Sequence, residues 1–234
     1  MKILNHLNLI VLGSKNKLKR FKENETFNNV FQPKRSTLIN DSFEMKGNWN
    51  KNYFKNNNPI ILELGCGKGE YCLFMALKSH KYNCVGVDIK GARFWRGAKT
   101  ADEQKIKNVA FLRAQIELID YCFEKDEVDG IWITFPDPQI KYKRTRHILI
   151  HPDFLNKYKK IMKKNGVIHL KTDSEFLFGY TLGILNNYPC NINYAHHDIY
   201  NNPNSPTDAK SEQTFYEKSF LNHGKAIKYI EFQL

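Results

Sequence analysis

A chain of 234 residues with 41% hydrophobic and 13% aromatic side chains is long enough to bury one sizeable core. None of its apolar runs approaches the roughly 20 residues of a membrane-crossing helix, which excludes a membrane-embedded protein of that type. Five cysteines (Cys66, Cys72, Cys84, Cys122 and Cys190) form no C-x-x-C pair, so neither a disulfide framework nor a metal centre is expected and a reducing cytoplasm fits best; the net charge of +12 favours a polyanionic partner, although a lysine-rich composition alone would also produce it.

The elements follow in chain order. Met1 to Gly13 is apolar, but Asn5, His6 and Asn8 interrupt it and no small-residue cleavage site follows, so it reads as a ragged N-terminal extension. Ser14 to Asn58 is polar, with Lys15, Lys17, Lys19, Arg20 and Lys22 close together, and ends in a linker-like Asn56-Asn57-Asn58-Pro59. Residues 1–58 are therefore expected to form a basic, partly mobile arm, and residues 59–234 a single domain. Ile60 to Leu64 is a short strand that runs into a glycine cluster, followed by a helix from Tyr71 to Ser79. A strand at Cys84 to Val87, a helix from Gly91 to Lys105 and strands at Val109 to Leu112 and Val128 to Thr134 come next. Asp153 caps a helix whose apolar face is Phe154, Leu155, Tyr158, Ile161 and Met162, and Asn165-Gly166 stops it. A strand at Val167 to Leu170, a helix from Glu175 to Asn186, a loop from Asn201 to Lys210 and a last strand at Ala226 to Phe232 complete the chain. Alternation of this kind predicts an α/β fold, a parallel sheet with helices on both faces.

In Glu63-Leu64-Gly65-Cys66-Gly67-Lys68-Gly69-Glu70 the glycines lie where a strand turns into a helix and leave the backbone bare for a nucleotide-like ligand, although a tight turn needs the same residues. Asp88, ending the second strand, is spaced to accept from ribose hydroxyls. The dinucleotide fingerprint requires a glycine at position 70, where this chain has Glu70, so NAD is disfavoured. Glu63 would repel a pyrophosphate and attract a cationic sulfonium, which suits S-adenosylmethionine. Gln115, after the third strand, stands where such folds often contact adenine, and equally where a helix opens.

Phe135-Pro136-Asp137-Pro138 follows the fourth strand, and two prolines hold the aspartate rigid at the carboxyl edge of the sheet, where ligands bind; a plain turn is the alternative. The run Lys141-Tyr142-Lys143-Arg144-Thr145-Arg146-His147 interleaves cations with an aromatic ring and suits phosphate contact with base stacking, or else is a solvated loop. Asp173 follows the fifth strand and either reaches the same pocket or caps the next helix. Thr214-Phe215-Tyr216-Glu217, taken alone, is the first turn of an amphipathic helix.

Together Glu63 to Glu70, Asp88, Phe135 to Pro138, the basic run, Thr172-Asp173 and Thr214 to Glu217 resemble the bacterial tRNA (guanine-N7-)-methyltransferase family, in order and spacing from about residue 14 to the end. The resemblance implies a Rossmann-like class I methyltransferase fold with an antiparallel C-terminal strand, S-adenosylmethionine as methyl donor without a metal, and tRNA as substrate to a monomer or homodimer. It assigns Glu63, Gly65, Gly67, Asp88, Gln115 and Asp137 to the cofactor, with Asp137 also catalytic. Lys141, Asp173, Thr214, Phe215, Tyr216 and Glu217 go to the RNA, and Asp173 or Glu217 is expected to accept from N1–H and the N2 amine of the guanine. Gln115 and Gln139 depart from the family pattern, which commonly has Asp or Asn at the first and an aromatic residue at the second. The alternatives are an amine-directed nucleic-acid methyltransferase, whose adjacent prolines and terminal aromatic Pro136-Asp137-Pro138 lacks, and a catalytically silent RNA-binding protein on the same fold.

Overall fold

The computed structural model describes residues 16–234; the expectations for Met1 to Gly13, Ser14 and Lys15 fall outside the described residues. A helix (α1, described over 16–24) leads to β1 (Val30–Phe31) and α2 (Arg35–Ile39), then a wide helical turn at Trp49–Phe54. The central alternation is β2 (Ile60–Leu64), α3 (Glu70–Lys78), β3 (Asn83–Val87), α4 (Gly91–Glu103), β4 (Val109–Leu112) and β5 (Val128–Thr134). A 3-10 turn at Tyr142–His147 precedes α5 (Pro152–Ile161), β6 (Met162–Thr172), α6 (Glu175–Leu185), β7 (Asn191–His196), the short α7 (Thr207–Lys210), α8 (Phe215–Asn222) and β8 (Lys228–Gln233).

The eight strands form one sheet in the order β1-β4-β3-β2-β5-β6-β8-β7. The first six are parallel, while β8 runs antiparallel to both β6 and β7. The central strands β3 and β4 are buried at every position, as the apolar runs Cys84–Val87 and Val109–Leu112 require in a sheet covered on both faces. On α4 the buried residues Gly91, Phe94, Ala98 and Ala101 recur at helical spacing and form a stripe against the sheet. A Cβ added at Gly97 would come within 2.7 Å of the Lys68 carbonyl oxygen, so glycine lets α4 pack directly on the loop after β2.

Three differences from the sequence reading have physical causes. The stretch from residue 24 to 58 is no loose arm: β1 pairs with β4, and Leu38, Met45, Trp49 and Phe54 are buried in the main core, so no packing boundary lies at 58/59. The Trp49 ring stacks on Phe123 and its indole N–H donates to the Cys122 carbonyl, which satisfies its polar handle inside the core. At α5 the cap is His151, whose Nδ1 accepts from the Asp153 N–H with Pro152 in the first turn. That helix ends at Ile161 rather than at Asn165-Gly166; residues 163–166 bulge out between the pairs Val128–Met162 and Gly130–Val167, with Asn165 left-handed at φ 70°. β7 is absent from the sequence reading because its polar-apolar alternation, Asn191-Ile192-Asn193-Tyr194, is short and built on asparagine, a poor strand former, and Asn191 to Asn193 are all exposed on the sheet edge.

Candidate active site

The order of the sheet reverses at β2, which has β3 on one side and β5 on the other. The crevice beyond the carboxyl ends of these strands is where open α/β sheets bind ligands. Two hollows adjoin there and share Gly65: one of about 690 Å³, lined among others by Glu63, Thr134, Asp137, Asp173 and Tyr216, and one of about 460 Å³, lined by Asp88, Gln115, Gln139 and Arg144.

The glycine loop shapes the first wall. Gly65, Gly67 and Gly69 all have φ between 55° and 75°, a region in which side chains are strained. A Cβ at Gly65 would meet no protein atom within 4 Å, so this glycine keeps space open at the junction of the two hollows. Glu63 is 2% exposed beneath the loop, where its carboxylate accepts from the Thr134 hydroxyl at 2.7 Å and the Cys72 N–H at 3.1 Å. Burial pushes its carboxyl up to about 7, against the pull of these hydrogen bonds. Asp88 accepts from the Gly67 N–H at 3.1 Å and the Lys90 N–H at 2.7 Å, which fixes its carboxylate at the end of β3. Gln115 is exposed and accepts from the Arg35 guanidinium, a contact from the N-terminal segment.

The opposite wall comes from β5 and β6. Phe135 and Gln139 both have left-handed backbone, with φ 49° and 51°, and between them Asp137 accepts from the Gln139 N–H at 3.0 Å. The two prolines fix φ on either side of the acid, so its carboxylate is held over the hollow by the backbone alone. Ser174 caps α6, accepting from the Leu177 N–H, and this leaves Asp173 free of the capping role. Asp173 Oδ2 instead pairs with Lys225 at 2.7 Å, while Oδ1 has no partner among the described residues.

The structure divides the residues expected from Thr214 to Glu217. Thr214 and Tyr216 line the larger hollow. Phe215 is turned outward, beside the Lys68 ammonium at 4.1 Å from its ring, with its N–H on Glu70. The expectation that Glu217 accepts hydrogen bonds from guanine is corrected: it is fully buried, its carboxylate gripped by Lys171 Nζ at 2.7 and 2.8 Å and by the Tyr200 hydroxyl at 2.9 Å, so neither oxygen is free. Thr214 caps α8 by accepting from the Glu217 N–H, which turns this acid inward instead of toward the hollow. Lys141 is exposed on the loop bordering the site and does not line it. Thr134, Lys171, Lys225 and the cleft-lining Lys90 and Arg93 escaped the sequence reading. Only Lys171 left a signal, a lysine at the end of an apolar strand, where a buried carboxylate partner is required.

Among the described residues no three His, Cys, Asp or Glu side chains are grouped to hold a metal, and no helix is long and apolar enough to cross a membrane. The fold is similar to that of a solved 16S rRNA methyltransferase, KamB, with a TM-score of 0.57 at 11% identity over 76% of this chain and 88% of the other. Residues 57–230 match a family described as putative methyltransferase. A tRNA (guanine-N(7)-)-methyltransferase from Christiangramia forsetii is 60% identical over 95% of this chain and all of its own length. One from Bacteroides fragilis is 44% identical over 94% of this chain and 86% of its own. With a class I sheet, a glycine loop at its switch point and identity of this extent along nearly the whole sequence, the chain belongs to the tRNA (guanine-N(7)-)-methyltransferase family.

Proposed function

We propose that the protein transfers the methyl group of S-adenosylmethionine to N7 of a guanine in tRNA, in the variable loop as the family resemblance implies. The observation that carries this reading is the meeting, at one sheet edge, of the glycine loop with its two acids and the rigid Asp137 loop bordered by exposed cations. When bound, S-adenosylmethionine supplies an electrophilic methyl group on a cationic sulfonium. The residues present suit such a molecule: Gly65 opens space between the hollows, Glu63 places a carboxylate in the larger one, and Asp88 and Gln115 lie in the smaller one where ribose hydroxyls and adenine need acceptors.

Guanine N7 carries a lone pair and no proton, so the chain needs no general base and acts by positioning. Transfer leaves positive charge on the guanine ring, and the fixed Asp137 carboxylate stabilises that charge more than it stabilises the neutral base. The free Oδ1 of Asp173 accepts from N1–H and the N2 amine, donors that adenine lacks in this arrangement, and Tyr216 offers a wall for the base. Lys141 and its neighbours contact phosphate. Incubation of the protein with labelled cofactor and tRNA transcripts, followed by cleavage specific for 7-methylguanine, is expected to place the label at one guanine; label on adenine, or on no RNA, would refute the reading.

Glu63 gives a pH test of the cofactor assignment. Its carboxyl, at about 7 in the free fold against an ordinary 4.5, is largely protonated below neutrality. A cationic ligand favours the ionised form, so affinity for S-adenosylmethionine is expected to rise as pH increases from about 6 to about 8, with a proton released on binding. The linked stability has the opposite sign: the folded state binds the extra proton between 4.5 and about 7, so the free protein loses stability as pH rises through that window. Glu63→Gln is expected to flatten the affinity slope and to raise the melting temperature of the free protein on the alkaline side. Calorimetry in buffers of different ionisation enthalpy reads the proton, and an affinity independent of pH in the wild type would remove Glu63 from the cofactor.

A further inference from the structure

The N7 edge of a guanine presents a problem of access. In A-form RNA it faces a deep, narrow groove that side chains do not enter, and a base stacked in a folded RNA cannot reach the floor of a cleft. A purine that reacts there has to leave its stack, and the gap it leaves has to be filled or the base falls back.

Two large, exposed side chains, Ile140 at the larger hollow and Tyr142 two residues further along the same loop, stand outside the packed core. Ile140 lines the hollow and is 66% exposed, and Tyr142, which opens the following 3-10 turn, is 90% exposed; neither packs in any of the core clusters. Exposure of this degree would suit a floppy loop, but the backbone here is tied. Asp137 holds the Gln139 N–H, the Arg144 N–H donates to the Lys141 carbonyl at 2.7 Å, and the Thr145 hydroxyl donates to the Tyr142 carbonyl at 2.9 Å. The two side chains are thus presented outward from a fixed frame beside the site. Lys141, Lys143, Arg144 and Arg146 belong to the same segment, all exposed, and among the described residues none of the four is in an ion pair. Unpaired cations around an apolar tip favour a polyanion over an apolar protein surface as the occupant.

Resting on the proposed methylation of a guanine in tRNA, we propose that Ile140 and Tyr142 are a wedge that holds the RNA open. Ile140 enters the space vacated when the guanine swings into the larger hollow, Tyr142 stacks on the adjacent base, and the four cations grip the backbone on either side. Apolar side chains inserted between bases and aromatic rings stacked on them are the general means by which proteins keep nucleic acids unstacked.

The test uses a tRNA with 2-aminopurine on the 3′ side of the target guanine, whose fluorescence rises when its neighbour leaves the stack. Saturating wild-type protein is expected to raise it about threefold or more, and Ile140→Ala/Tyr142→Ala, saturating by filter binding, to raise it little, with single-turnover methylation slowed about tenfold or more. Both side chains are exposed, so the double variant is expected to melt as the wild type does. A variant that raises the fluorescence as fully as the wild type, or a wild type that raises none, overturns the wedge. Formation of 7-methylguanosine by the wild type, scored in the same tRNA, tests the underlying reading separately: without it that reading fails whichever way the fluorescence falls.

Discussion

Replacing Asp137 by asparagine is expected to slow single-turnover methyl transfer by about 10²–10³-fold, the range measured for removal of one preorganised charge-stabilising group. Affinity for S-adenosylmethionine should fall by much less than the rate, because Glu63 and Asp88 remain in place and asparagine keeps the shape of the Asp137 side chain beside the cofactor. Asparagine has the shape of aspartate, and its side-chain oxygen can still accept from the Gln139 N–H, so the left-handed turn at φ 51° survives. Only the charge goes. Asp137 is exposed in the free chain, where water weakens its field, and that field strengthens once RNA and cofactor have displaced the water. Rapid-quench measurement at saturating RNA isolates this step from binding and release. A variant within threefold or so of the wild-type rate would mean that orientation alone supplies the acceleration.

The second large effect lies below the cleft. Lys171→Met is expected to destabilise the fold by about 3–5 kcal/mol, since it strands Glu217 as an unpaired buried charge. Both side chains of the pair are fully buried, and burial pushes the Lys171 ammonium down and the Glu217 carboxyl up, each opposed by the attraction of the other. The double variant Lys171→Met/Glu217→Met is expected to recover most of the loss, because apolar residues of similar volume often replace a buried ion pair without net cost. At about 2–4 °C per kcal/mol for a chain of this size, thermal melts resolve the two outcomes readily. The pair also ties the end of β6 to α8, which carries Thr214, Tyr216 and Phe220 into the larger hollow. The recovered double variant is therefore expected to keep a raised KM for tRNA. A single variant within about 1 kcal/mol of the wild type would show that Glu217 is neutral in the fold.

The parts of this protein legible in its sequence are those where one physical constraint dominates. The strands β2 to β5 are short apolar runs between breakers, and the turns after β2 and β5 declare themselves through glycine and proline. The N-terminal segment was illegible because Leu38, Met45, Trp49 and Phe54 are spread through a polar sequence broken by Asn40-Asp41-Ser42 and Gly47, so no single regular element collects them and only the assembled sheet gives them a common destination. Glu217 was misread for a different reason. An acid in a motif next to a cleft looks substrate-facing, and its direction depends on Lys171, which lies 46 positions away in sequence and directly beneath it in space. Asp173 was placed correctly at the sheet edge, but its pairing with Lys225 is a tertiary fact that no local pattern encodes.

The position of β8 in the sheet bears on how the protein is born. It follows both β6 and β7 in the chain yet lies between them, so β7 has no place in the sheet until β8 has been synthesised. Lys225 and Lys228, which contact Asp173 through its carboxylate and its carbonyl, emerge from the ribosome in the same late stretch. A nascent chain can thus assemble the half of the sheet that carries the glycine loop while the half that carries Asp173 is still open along one edge. Order of synthesis thus separates the two walls of the crevice: the one built on the glycine loop precedes the one that Lys225 and Lys228 complete.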